Sequence, residues 1–146
     1  MSKVDGFEYN FLRGVLNGTA ITNVGATAGT TSVWAGLHTA DPGDAGSTAA
    51  EGGYATYTRV AVGRSSTGFA ITSGTSNAAA SGSPVAAITF PQNTATSTGT
   101  FTHFSLNPSS ASTGPDAFYT GTISPSINYS QNVTPSLTTG SSITET

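Results

Sequence analysis

The chain has 146 residues, no cysteine and a formal net charge of −3, which is the size of one domain and excludes both a disulfide framework and a thiolate metal site. Only 8% of residues are charged, and four Lys and Arg with a pI near 5.0 cannot supply the phosphate-neutralising charge of a nucleic-acid partner. No apolar run approaches the roughly 18 residues of a membrane span, and the Met1-Ser2-Lys3-Val4-Asp5-Gly6 start lacks the apolar stretch of a signal peptide, so no membrane partner is expected.

Large apolar residues are sparse. Leu, Ile, Val and Phe number 26, whereas Thr and Ser number 26 and 20. A domain of this size buries only about two thirds of its unfolded surface, so part of the stabilising apolar contact is expected from neighbouring subunits.

In chain order, the first predicted element is a helix over residues 5–17. Phe7, Phe11, Leu12, Val15 and Leu16 fall on one helical face, and Asn17-Gly18 supplies a stop. Gly6 and Gly14 each cost this helix about 1 kcal/mol relative to Ala, so it needs docking, on its own domain or on a partner. All four basic residues and five of the seven acids lie in the first 64 positions. After Gly29 the chain shows short β-prone runs separated by Gly, Pro, Asn and Ser clusters. Strands are predicted over 31–38, 54–62, 69–72, 85–90, 100–106, 117–123 and 137–144, with a weaker one over 126–130. In the 100–106 run, Phe101 falls opposite Phe104 and Leu106, the pattern of a strand covered on both sides. The Ala, Ser and Gly run 72–83 lacks any large apolar side chain and is assigned to a loop or an inter-subunit contact. Seven or eight short strands with one N-terminal helix make the expected fold mainly β, an antiparallel β-sandwich or jelly roll in a single domain over 1–146. Residues 124–146 form either strands or an arm that reaches a neighbour.

Sites for chemistry are few. Asp41-Pro42-Gly43-Asp44 reads as a turn, with Asp able to cap, Pro fixing φ and Gly accepting positive φ. Asp41, Asp44 and Glu51 do not match a calcium-loop spacing, so no metal is expected. His38 and His103 are the only histidines, each inside a predicted strand, and read as structural. There is no G-x-S-x-G elbow, P-loop or G-x-G-x-x-G motif. Carboxylates for a glycosidase pair are scarce. No catalytic residue, cofactor or enzymatic activity is therefore expected. Tyr54, Tyr57 and Arg59 combine the residue types that interfaces favour, and with Phe7 and Phe11 they are the candidate interface residues. The alternative for the Tyr and Arg group is packing within the domain.

Four blocks carry a family likeness: Trp34-Ala35-Gly36-Leu37-His38-Thr39-Ala40-Asp41-Pro42-Gly43; Gly52-Gly53-Tyr54 with Arg59-Val60-Ala61-Val62; Ala86-Ala87-Ile88-Thr89-Phe90-Pro91; and Thr102-His103-Phe104. In order and spacing, over about residues 7–123, the chain resembles small tailed-phage virion proteins, which are variously labelled tail fibre or minor structural proteins. That resemblance implies a non-enzymatic structural part of a bacteriophage virion. The small size and the lack of a heptad or other repeat favour a decoration or cement protein on the outer capsid surface. It would bridge capsomers, with the major capsid protein and other copies of itself, as a trimer or other homo-oligomer, for partners. A tail fibre or tail-tip component contacting the host is the alternative.

Overall fold

The computed structural model describes residues 2–3, 5–18, 31–72, 79–111 and 117–145. In chain order these form β1 (Ser2–Lys3), α1 (Asp5–Asn17), β2 (Ser32–His38), β3 (Val60–Gly63), β4 (Phe69–Thr72), β5 (Ala80–Pro84), β6 (Ile88–Thr89), β7 (Gly99–Asn107), β8 (Tyr119–Tyr129), β9 (Ser136–Leu137) and β10 (Ile143–Glu145). Every pairing is antiparallel. The main sheet has the order β1-β8-β7-β2-β3, a second has β10-β5-β4, and β6 pairs with β9. The fold is thus mainly antiparallel β with one short N-terminal helix, as the alternating runs predict.

β2, next to the β3 edge of the main sheet, has both of its faces covered. Alternation puts Val33, Ala35 and Leu37 on one face and Gly36 and His38 on the other, and all five are buried. Pairing with β7 sets Gly36 opposite Ser105 and His38 opposite His103. β7 is likewise covered on both sides, with Leu106 and Phe104 toward the second sheet and Ser105 and Asn107 toward the opposite side. The core joins Ala35, Leu37, Ile88, Phe90, Leu106 and Leu137 to Tyr54, Phe101 and Tyr129. Few aliphatic side chains suffice because rings fill the space. Tyr54, Tyr57, Phe90, Phe101 and Tyr129 form one cluster, with centroids from 4.7 Å for Phe101 and Tyr129 to 6.2 Å for Tyr54 and Phe101, the range of favourable aromatic pairs.

The structure departs from the sequence expectation at five places. Residues 54–59 are not strand: Tyr57 N–H donates to Tyr54 O at 3.0 Å, a turn that sends both rings inward, and the three-residue spacing of the two tyrosines is that of a turn. Only Val60–Gly63 pairs, with β2. Residues 80–83, within the run assigned to a loop, form β5 together with Pro84 because strands on either side, β4 and β10, complete its hydrogen bonds; residues 73–78 of that run lie outside the described residues. The predicted 85–90 strand shrinks to Ile88–Thr89. The 117–123 and 126–130 runs join as β8 across a bulge, since Phe101 pairs with Ile127 while His103 pairs with Thr122. Pro125 sits in that bulge, where no ladder donor is required. The 137–144 run splits into β9 and β10 at a turn closed by Ser141 N–H to Thr138 O at 3.0 Å. Within residues 124–145 the end of β8, β9 and β10 are therefore all paired within the chain.

Candidate functional site

The sequence blocks meet in a buried polar centre beside β2. Glu51 sits on an isolated bridge to His38, and the chain returns after the Tyr54 turn to bring Arg59 alongside. Arg59 Nε and Nη2 each donate to one oxygen of Glu51 at 2.6 Å, a fork-to-fork pair whose side chains are 3% and 1% exposed. Arg59 Nη1 also donates to Ser109 O at 2.9 Å. Tyr57 Oη accepts the Leu37 N–H at 2.7 Å and faces Glu51 Oε1 at 3.3 Å, and burial pushes its phenol pKa up. Burial also raises the Tyr54 pKa, with Tyr129 adding to it; the Tyr54 hydroxyl donates to Pro91 O at 2.7 Å. Gly36 admits this packing, because a Cβ there would lie 2.7 Å from Ser105 Oγ and 2.9 Å from Glu51 Oε1.

On the same side, His38 Nε2 and Ser105 Oγ are hydrogen-bonded at 2.8 Å. Asn107 Nδ2 donates to Ser105 Oγ at 2.8 Å and to Trp34 O at 3.0 Å. Burial lowers the His38 pKa to about 4; the charges of Arg59 and His103 push the same way, and Glu51 opposes them. The Ser105 and His38 distance is that of a nucleophile and its base. The rest of the arrangement is unlike a triad, because His38 Nδ1 has no partner, where an orienting carboxylate would be required. Both residues are also about 1% exposed. The group is a hydrogen-bonded tie between β2 and β7.

His103 is bonded from Nδ1 to Thr102 Oγ1 at 2.9 Å, with Asp41 Oδ2 at 3.9 Å from Nε2. Asp41 Oδ1 accepts the Gly43 N–H at 2.9 Å, and Gly43 has φ +64°, the turn that Asp-Pro-Gly predicts. Among the described residues no cluster of three or more His, Asp or Glu side chains is placed to hold a metal, and no helix is long and apolar enough to cross a membrane.

The outer surface carries a different kind of site. In α1, Phe7 meets Phe118 and Tyr119 edge-on at 5.4 and 5.8 Å. Tyr9, Phe11, Leu12, Val15 and Leu16 are 46–75% exposed. Phe118 and Tyr119 also line an open apolar trough of about 830 Å³ between the main sheet and the second sheet.

Of the five candidate interface residues, the structure therefore puts Phe11 outward and Phe7 half-buried against the body. Of the two readings open for the other three, interface contact and packing within the domain, the geometry matches the second: Tyr54 and Arg59 are buried and Tyr57 partly so, and turn, ion pair and ring cluster all draw them inward. Sequence reasoning missed Glu51 as the partner of Arg59, and their eight-residue separation across a Gly and Tyr turn was the available signal. Ser105 and Asn107 had no such signal, since their role depends on the β2 and β7 register.

A family model described as Podophage GP4 fiber I protein gp80 matches residues 7–144. The chain belongs to this family. It is a structural component of a phage virion of the fibre type, which accords with the coarse reading of the sequence blocks. The same finding favours the fibre alternative over the capsid decoration protein that small size and missing repeats suggested. None of the curated proteins compared with the chain matches it. In this fibre-family chain the polar centre is internal, and among the described residues α1 presents exposed apolar side chains.

Proposed function

We propose that this chain is a tail-fibre component of a podophage, a non-enzymatic module that links the particle's tail to the host surface. The match of residues 7–144 to a fibre family carries the reading. The disposition of the chain supports it: its ion pair and histidine are consumed in rigidifying the body, while its apolar side chains are offered to solvent on one helix. Such a module works by repetition. Modest contacts made by several copies raise the effective concentration of each further contact, so a small rigid unit with one docking element is sufficient. The partner on the particle is then a tail protein in place of the major capsid protein.

Virions lacking the protein provide the test. Loss of adsorption to host cells with unchanged heat resistance of the shell is the expected result. Normal adsorption with shells that rupture at lower temperature overturns the tail assignment in favour of capsid decoration. Quantitative mass spectrometry of purified particles checks it independently, with tens of copies or fewer expected and hundreds excluding it.

A further inference from the structure

The last turn of α1 ends in solvent. Val15 and Leu16 are 62% and 75% exposed, Asn17 and Gly18 after them are exposed too, and no basic residue in that turn complements the carbonyl end of the helix. Gly18 takes φ +64°, the left-handed conformation that ends helices, and a Cβ built there would meet nothing within 4 Å. Helix ends fray, and side chains this exposed do little to oppose it.

Asn17 is followed by glycine, and no other asparagine of the chain is. The pairing matters because an asparagine side chain is open to attack by the amide nitrogen of the residue after it. Asn17 has to leave the helical ψ so that the Gly18 nitrogen swings round to Cγ, and a residue without Cβ neither blocks the approach nor restricts the turn. Elsewhere the geometry opposes the attack. Asn93 is fully buried, with Nδ2 donating to Ser97 O at 2.8 Å and Oδ1 accepting the Ala95 N–H at 2.9 Å. Asn107 is buried and precedes Pro108, whose nitrogen carries no proton to give up. Asn128 lies in the β8 ladder, its Oδ1 accepting from Thr100 Oγ1 at 2.8 Å. The amide after Asn132, that of Val133, donates to Ser130 O at 3.1 Å. Asn10 lies inside α1, ahead of Phe11.

We propose that Asn17 is a self-modifying site, converted through Gly18 to aspartate and isoaspartate, and that this conversion unwinds the last turn of α1. The deprotonated Gly18 nitrogen bonds to Asn17 Cγ, the Cγ–Nδ2 bond breaks, and Nδ2 leaves as ammonia, taking up that proton. Water then opens the five-membered imide, giving its hydroxyl to the carbonyl carbon and its proton to the Gly18 nitrogen. Opening at Cγ yields aspartate; opening at the main-chain carbonyl routes the backbone through Cβ and yields isoaspartate. Only water is consumed, and nothing is oxidised or reduced. Either product puts a carboxylate where the helix already presents carbonyl oxygens, the end of the helix dipole that repels anions. Arg13, one turn back, lies over the Tyr9 ring with its guanidinium carbon 5.4 Å from the ring centre, and a base four residues before an acid is the weaker order for a helical pair. Isoaspartate also lengthens the backbone of the turn, which then no longer fits the helical repeat. The site is a one-way timer on the helix that presents Leu12, Val15 and Leu16, wherever on the particle the protein sits.

Ageing the full chain in mildly alkaline buffer tests the proposal. Tandem mass spectrometry of tryptic peptides should find the mass gain of an amide turned to an acid at Asn17 on the order of tenfold faster than at Asn10, Asn93, Asn128 or Asn132, because only glycine offers an unhindered nitrogen. In Asn17→Gln, where the attack would need a six-membered ring, the gain at that position should vanish. Hydrogen-exchange mass spectrometry should show the amides of residues 14–18 exchanging several-fold faster in the aged chain and in Asn17→Asp than in the fresh chain, with those of β2 and β7 unchanged. Conversion at Asn17 no faster than at the other asparagines overturns the modification site. Conversion without faster exchange over 14–18 overturns the unwinding, as does equal acceleration in aged Asn17→Gln, which would assign the loosening to another change.

Discussion

At the scale of single residues, the Glu51 and Arg59 pair is the most consequential contact. Both charges are removed from water, so their stability rests on each other and on the Ser109 carbonyl. Removing one partner strands the other. Arg59→Met or Glu51→Gln is expected to cost about 3–5 kcal/mol in urea unfolding, whereas Glu51→Leu with Arg59→Met is expected to recover most of that loss. A single-variant cost below about 1 kcal/mol would mean that water reaches the pair.

His38 sets a pH dependence whose sign follows from its burial. Its folded pKa is about 4 against 6.5 in the unfolded chain, so between those values the unfolded state binds the extra proton. Stability is then full above about pH 6.5 and falls as the pH drops toward 4, by about 3 kcal/mol. Glu51, Arg59, His103 and Ser105 face this ring, and His38→Gln removes its titration while leaving theirs. Urea midpoints measured from pH 7 to pH 4 should therefore slope less in the variant. Equal slopes would assign the dependence to the carboxylates.

At the scale of elements, β2 and β7 show how register determines chemistry. The pairing of Gly36 with Ser105 leaves no room for a side chain. Gly36→Ala would push on both Ser105 and Glu51, and overpacking of this kind costs about 1–3 kcal/mol. Chemical denaturation reads that loss, and a nuclear magnetic resonance shift map should show it spreading along β2, β7 and the 51–59 loop together. The 31–38, 69–72 and 100–106 strands were legible because alternation and β-branched or aromatic residues agree there. β5 was not legible: Ala-Ser-Gly-Ser-Pro has no strand propensity, and its flanking strands impose the conformation. The Tyr54 to Arg59 segment misled in the opposite sense, because aromatic β-propensity was overridden by a turn that pays for itself through the Tyr57 hydroxyl bonds to Leu37 N–H and Glu51.

At the scale of the whole molecule, the body is held by a ring cluster and a buried ion pair, while α1 and the inter-sheet groove remain open to solvent. An isolated copy therefore leaves Tyr9, Leu12, Val15 and Leu16 of α1 largely exposed to water. Association through those surfaces would stabilise the folded state by mass action. The thermal midpoint is expected to rise by several degrees over a hundredfold increase in protein concentration, as followed by scanning calorimetry. A midpoint independent of concentration would restrict the apolar arc to contacts with other virion proteins.

The sequence by itself determined the fold class and the N-terminal helix, because composition and periodicity act locally and survive without knowledge of partners. Its ordered blocks also pointed to a virion structural protein. The tertiary structure decided which of the conspicuous residues face inward. Tyr54, Tyr57 and Arg59 have the composition of an interface, and only the return of the chain past Glu51 shows that the carboxylate, the ring cluster and the Leu37 amide already satisfy them. The groove between the sheets was equally invisible, since it arises from small side chains on β4 and β5 meeting large ones on the main sheet. Both are consequences of residues distant in sequence, and no local pattern encodes the register that brings them together.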